Sequence, residues 1–348
     1  MKHFKNLIIV TTSFILIGVA CTPGGDPPTT SLLGNWVKRI GFDGNGRAGA
    51  VSFVIGDSAY VGTGFDGSDR YKDFWVYSPN TESWSQRALM PAAAAKRNSA
   101  AAFAASGKGY VTTGYDGINK LQDTWEFNPA TNTWAQKANL PDPANSSVGS
   151  GARYGAVGFG IGTKGYICSG YTGSHTKDLW EYNPATDSWA SKPSMNTSDK
   201  RTGAVAFVYN NQAYIVSGTN NGTVVTEMAM YDPATSTWTK KRDIANLSSE
   251  AYDDAYTSIV RGNAAAFVIG TKGYIATGEN GANVRNTWEY DFATDTWSEK
   301  TGYERSDRTS AVGFAVKGRG FIALGRNSTF YFDNLDELKP TDSYNAND

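Results

Sequence analysis

A single pattern of residues returns six times along the 348-residue chain, and a long-period repeat constrains architecture more than any local propensity does. It reads Arg, a strand of small residues ending in Phe, a Gly turn, Tyr, and a second strand ending in Gly. After a loop come Trp-x-aromatic, a turn containing Pro, and a second Trp. The first unit runs Arg47, Phe53, Tyr60, Gly64, Trp75, Tyr77, Pro79, Trp84, and the second Arg97, Phe103, Tyr110, Gly114, Trp125, Phe127, Pro129, Trp134. The third runs Arg153, Phe159, Tyr166, Gly170, Trp180, Tyr182, Pro184, Trp189. The fourth runs Arg201, Phe207, Tyr214, Gly218, Tyr231, Pro233, Trp238, with Ala229 in place of the first Trp. The fifth runs Arg261, Phe267, Tyr274, Gly278, Trp288, Tyr290, Trp297, with Phe292 in place of Pro. The sixth runs Arg308, Phe314, Phe321, Gly325, Phe330, Phe332, and then stops.

The piece missing from the sixth unit stands at the other end of the chain. Trp36-Val37-Lys38-Arg39 reads like Trp84-Ser85-Gln86-Arg87 and Trp134-Ala135-Gln136-Lys137. Pairing this N-terminal strand with three C-terminal strands closes a ring and leaves no sheet edge open. It also gives every tryptophan an equivalent position. The expected fold is therefore all-β: a six-bladed β-propeller of four-stranded antiparallel blades over residues 32–333, closed by the N-terminal strand, with a loose polar tail at 334–348. In the second unit the strands are expected at 100–104, 109–114, 123–128 and 133–137. The inner strands are rich in Ala and Gly because sheets crowd at the axis. The tryptophans fill the space where blades splay, each burying about 150–250 Å².

The unit resembles Kelch repeats, and its Gly-Tyr-Asp-Gly and Asp-x-Trp-x-aromatic-x-Pro segments resemble the propeller domain of galactose-oxidase-like proteins. The resemblance covers residues 36–333. One departure is visible: the second strand ends in a single Gly (Thr113-Gly114, Ser169-Gly170), where Kelch units usually carry two. The copper–radical oxidases of that family use two His, two Tyr and a Cys joined to one Tyr. Outside the N-terminal segment this chain has only His175, and Cys168, aligned with Gly62 and Thr112, reads as a small buried thiol. No metal and no cofactor are expected. No Gly-x-Ser-x-Gly elbow or phosphate-binding Gly loop is present, and Asp66-Gly67 and Asp116-Gly117 read as turns.

Lys2, His3 and Lys5 precede an apolar run at 7–19 that is shorter than a membrane span. The run ends in Gly18-Val19-Ala20-Cys21, which resembles a bacterial lipobox with Gly18 where Leu is usual. Residues 1–20 read as a signal peptide, Cys21 as the lipidated residue, and the Pro-, Gly- and Thr-rich segment 21–31 as a flexible tether. Cleavage after Ala20 without lipidation is the alternative. The expectation is an exported lipoprotein of a Gram-negative outer membrane, on the periplasmic or outer side, touching the membrane through its lipid alone. Lys+Arg 32 against Asp+Glu 33, with no basic block, argues against nucleic acid as a partner.

A feature present in every blade is read as scaffold, and a departure from the repeat as a candidate for function. Arg47, Arg97, Arg153, Arg201, Arg261 and Arg308 open the inner strands and are expected around the channel mouth. They either form an anion-binding ring or bond loop carbonyls or an acid of the neighbouring blade. Asp73, Asp123 and Asp178 are expected to bond turn amides. The connections at 139–151 and 240–261 are the long ones, and the second carries Tyr252, Asp253, Asp254 and Tyr256. Glu279 stands where other blades have Phe65, Tyr115 or Tyr171, and His175 is read as incidental. The favoured function is non-catalytic binding of a protein or glycan on the loop face. The alternative is a glycan-processing enzyme, since some exported Kelch propellers resembling this chain are sialic-acid mutarotases, with Glu279 and Asp254 supplying acid–base groups and Arg201 and Arg261 the anion contact.

Overall fold

The aromatic pair of each repeat meets across a tight hairpin. Phe53 lies opposite Tyr60 with the rings stacked 5.3 Å apart, and Phe103–Tyr110, Phe159–Tyr166, Phe267–Tyr274 and Phe314–Phe321 stack in the same register. Cross-strand aromatic pairs of this kind fix register, and here they do so in five of the six blades. A computed structural model describes residues 32–143, 151–198, 200–244 and 259–347. In it each repeat is one four-stranded antiparallel sheet, and six such sheets make a six-bladed β-propeller.

Blade one is Val51–Ile55, Ser58–Gly62, Phe74–Ser78 and Ser83–Arg87. Blade two is Ala101–Ala105, Lys108–Thr112, Thr124–Asn128 and Thr133–Lys137, within two residues of the expected limits. Blade three is Val157–Ile161, Lys164–Tyr171, His175–Asn183 and Ser188–Lys192. Blade four is Val205–Tyr209, Gln212–Val216, Met228–Asp232 and Thr237–Lys240. Blade five is Ala265–Ile269, Lys272–Ala276, Thr287–Asp291 and Thr296–Lys300. Blade six combines Val312–Val316, Arg319–Ala323 and Leu335–Ser343 with the N-terminal Leu33–Lys38. The inner strands touch so closely that a Cβ on Gly160 would stand 2.0 Å from the Ala104 carbonyl oxygen of the preceding blade.

The ring closes as expected at its N-terminal end but not with the expected partner. Trp36 is fully buried and pairs with Leu338, in the position where Trp84 pairs with Tyr77. The third strand of blade six is thus Leu335–Ser343, not the segment around Phe330 and Phe332, and the supposed loose tail at 334–348 supplies a sheet strand. Phe330 instead sits exposed in a two-residue hairpin arm, and Phe332 packs under the Arg308 guanidinium at 3.9 Å. The strand escaped the repeat pattern because Asp336 stands where the other blades have Trp and Leu338 where they have the aromatic, with Glu337 between them. Both acids are buried and paired, Asp336 with Arg305 and Tyr303, and Glu337 with Arg39, Arg319 and Lys339.

The Kelch-like Gly position also has a local explanation. The residues before the strand-two glycines, among them Thr63, Thr113, Ser169 and Thr277, all have φ near +60°. The backbone there is left-handed, the conformation that favours a second glycine, and this chain places Thr, Ser or Leu324 in it.

The N-terminal expectations for residues 1–20, Cys21 and the tether at 21–31 lie outside the described residues.

Candidate functional site

Each repeat opens Arg-x-(Gly/Ser/Asn)-Ala, and the four positions have separate places. The six arginines are buried to 1% exposure or less. Arg97 is typical: Nε donates to the Ala95 carbonyl, Nη1 to the Thr113 carbonyl, and both terminal nitrogens grip Asp123 at 2.6 Å. Arg47 and Arg153 repeat this with Asp73 and Asp178. In blade four Glu227 takes the acid's place for Arg201, and in blades five and six Arg261 reaches the Asn286 carbonyl and Arg308 the Asn334 side chain. Burial works to raise the Asp178 carboxyl, but Arg153 and the hydrogen bonds from Arg153, Thr176 and the Trp180 indole hold it below the usual range.

These contacts correct two expectations. The arginines do not form a ligand ring at the mouth, and the acid each one takes belongs to its own blade rather than to its neighbour. Asp73, Asp123 and Asp178 spend their oxygens on these guanidinium groups and on the indoles of Trp75, Trp125 and Trp180, not on turn amides.

The third position of the motif forms the neck of the channel. Gly49 donates its amide to Ser310, Ser310 to Asn263, Asn263 to Gly203, Gly203 to Gly155, Gly155 to Ser99, and Ser99 back to Gly49, at 2.8–2.9 Å. This closed belt links all six blades. A second belt runs from each strand-two glycine to the arginine carbonyl of the next blade, ending with Gly325 on Arg47. The second motif position stands above the neck and bridges the residue after the strand-two glycine: Ala48 with Phe65, Asn98 with Tyr115, Tyr154 with Tyr171, Thr202 with Thr219, Gly262 with Glu279, Thr309 with Arg326. A rigid double belt therefore fixes twelve wall positions whose side chains are free to vary.

That variation builds a cavity of about 710 Å³ at the mouth, within the size range of small-molecule sites. Its wall is an arc of rings on blades six, one, two and three. Tyr331 meets Phe65 edge-on at 6.2 Å, Tyr115 meets Tyr154 at 5.5 Å, and Tyr154 meets Tyr171 at 5.3 Å. Between Phe65 and Tyr115 lies the guanidinium of Arg70, 4.5 Å from one ring centre and 5.1 Å from the other. Its Nε donates to Asn98 Oδ1 at 2.8 Å. Gly117, at φ +107°, lets the blade-two hairpin come this close, since a Cβ there would meet Arg70 Nη1 at 2.6 Å. Lys120 and Arg326 also line the cavity, and no acidic side chain among the described residues does.

The nearest acids are committed to their own hairpins. Asp66 accepts the amides of Ser68 and Asp69 and the Tyr71 hydroxyl. Asp116 accepts those of Ile118 and Asn119. These are turn bonds, as the Asp-Gly pairs suggested. Burial works to raise the Asp116 carboxyl, but the two amides, the Asn119 side chain and the charge of Arg70 outweigh it and lower the group.

Glu279 does reach the level of the mouth, where its Oε1 accepts from Asn263 Nδ2 at 2.8 Å. His175 closes the blade-three hairpin opposite Tyr171, and burial lowers its pKa despite a hydrogen bond to Asn221. Cys168 is fully buried, with its thiol pushed up by that burial. Tyr252, Asp253, Asp254 and Tyr256 lie outside the described residues. Arg70, Lys120, Arg326 and Tyr331 were missed in the sequence. The signal that finds them is the pairing of the residue after the strand-two glycine with the one closing the same hairpin: Phe65 with Arg70, Tyr115 with Lys120, Arg326 with Tyr331.

The chain is a six-bladed β-propeller with a cationic, aromatic cavity at the loop end of its channel. Among solved structures it is similar to that of YjhT, at 14% identity and a TM-score of 0.66, covering 85% of this chain and 96% of that one. At that identity the likeness is one of fold. No protein-family model matches the chain, and no match was found among curated proteins.

Proposed function

We propose that this is a Kelch-type binding propeller that holds a glycan in the mouth cavity without transforming it. The observation that carries the reading is the arc Phe65, Tyr115, Tyr154, Tyr171 and Tyr331 around one concave space. Flat rings fixed by mutual contact offer apolar faces to the C–H faces of a sugar at little cost in side-chain entropy. A broad, flat protein epitope fits a concave wall less well. Export and a lipid on Cys21 belong to the same reading.

A glycan array probed with the protein, with Tyr171→Ala and with Tyr115→Ala tests it. We expect retained glycans whose affinity falls about tenfold in each variant, the loss of one stacking contact worth roughly 1.4 kcal/mol. Unchanged binding by folded variants contradicts the site, and retention of peptides but no glycans favours a protein ligand. Acceleration of sugar anomer exchange that is lost in Glu279→Gln favours the catalytic alternative.

A further inference from the structure

Resting on that glycan reading, we propose that the cavity selects sugars bearing a carboxylate, through a guanidinium fork presented by Arg70 and backed by Lys120. Arg70 is held on three sides, by the Phe65 ring, the Tyr115 ring and the Nε bond to Asn98. Asn98 is itself tied to Ser99 Oγ at 3.0 Å, and Ser99 is part of the neck belt. The guanidinium plane is thus fixed to the scaffold rather than free to rotate.

The terminal amino groups of Arg70 donate to no protein acceptor among the described residues. They differ in this from the six scaffold arginines, each of which places its terminal nitrogens on carbonyls or side-chain oxygens of its own blade. A planar fork whose orientation is already fixed matches the two oxygens of a carboxylate and loses little entropy on binding.

Lys120 occupies the matching hairpin position one blade on, opposite Tyr115 as Arg70 is opposite Phe65. Its ammonium has no hydrogen bond or ion pair among the described residues, and it lines the same cavity. With Arg326 on the other side, the described residues of the wall present three cations and no carboxylate to an occupant. An uncharged sugar would leave those donors in a partly dehydrated space without an acceptor. The nearest acid, Asp116, has its Oδ1 on two backbone amides of its hairpin, so the fork's own neighbour does not fill the place of a ligand.

The test compares two disaccharides by calorimetry at low salt: one ending in glucuronic acid, the other in glucose. We expect the purified protein to bind the acidic sugar at least tenfold more tightly. Arg70→Gln is expected to reduce that preference to within about twofold, while Arg70→Lys restores part of it. Should Arg70→Gln fold poorly, judged by its thermal melt, Lys120→Gln is read instead, and a two- to fivefold loss for the acidic sugar alone is expected. Equal affinity for both sugars in the unmodified protein overturns the proposal while leaving the glycan reading intact. A preference that survives folded Arg70→Gln also overturns it. Binding of neither disaccharide overturns the proposal, and if the array retains no glycan either, it overturns the glycan reading itself.

Discussion

Arg70 and the six scaffold arginines stand near the loop end of this ring, and their partners separate scaffold from site. Arg97 is enclosed, with its charge matched by Asp123 and its nitrogens on two carbonyls. Removing one member of a buried, hydrogen-bonded ion pair leaves the other uncompensated. Arg97→Ala is therefore expected to cost about 3 kcal/mol or more in urea denaturation, whereas Arg70→Gln is expected to cost less than about 1 kcal/mol. A stability loss for Arg97→Ala no larger than that for Arg70→Gln would contradict this division. In the sequence the six scaffold arginines are conspicuous because they recur, and Arg70 is inconspicuous because blades four to six carry Val224, Asn283 and Tyr331 at its position. Recurrence marks what the ring needs from every blade, so a residue serving a ligand on one side of the mouth leaves no periodic trace.

The element that decides whether the ring holds is the strand Leu33–Lys38, which joins blade six from the opposite end of the chain. Trp36 anchors it, with its ring edge-on to Tyr303 at 5.1 Å and its indole donating to Thr287. Beside it Glu337 gathers Arg39, Arg319 and Lys339, and Arg319 extends the network to Glu82 of blade one. Burial works to raise the Glu337 carboxyl, but the hydrogen bonds from Arg319, Lys339 and Arg39 dominate and bring it down to about 2. A folded pKa below the unfolded value means that the stabilisation is complete above about pH 5 and is lost as the pH falls towards 2. At neutral pH it amounts to roughly 3 kcal/mol. In denaturant titrations the advantage of the native protein over Glu337→Gln is expected to shrink steadily from pH 5 to pH 2, and parallel curves would contradict the assignment. The strand's partner was illegible in the sequence for the same reason. Leu335-Asp336-Glu337-Leu338 reads as a polar tail unless the cations that neutralise it, from three other segments, are known.

At the scale of the whole molecule, Arg, Phe, Tyr, Gly and Trp at fixed intervals made the number of blades, their four strands and the closure by Trp36 readable. Each of these depends on contacts that every blade repeats with its neighbour. The mouth depends on contacts between hairpins of different blades, such as Arg70 against Gly117 and Tyr331 against Gly67, and these appear only once the ring is closed. Glu279 was legible as a departure from the repeat, yet it lies on the polar side of the mouth, away from the aromatic arc. On the proposed function, six similar sheets hold one asymmetric cavity in which blades one to three and six do the binding. A crystal structure of the protein soaked with the glucuronic-acid disaccharide tests this most directly. The sugar is expected over the Tyr115, Tyr154 and Tyr171 rings with its carboxylate on the terminal nitrogens of Arg70. Sugar bound on another face, or in the mouth with its carboxylate turned towards blades four and five, would contradict it.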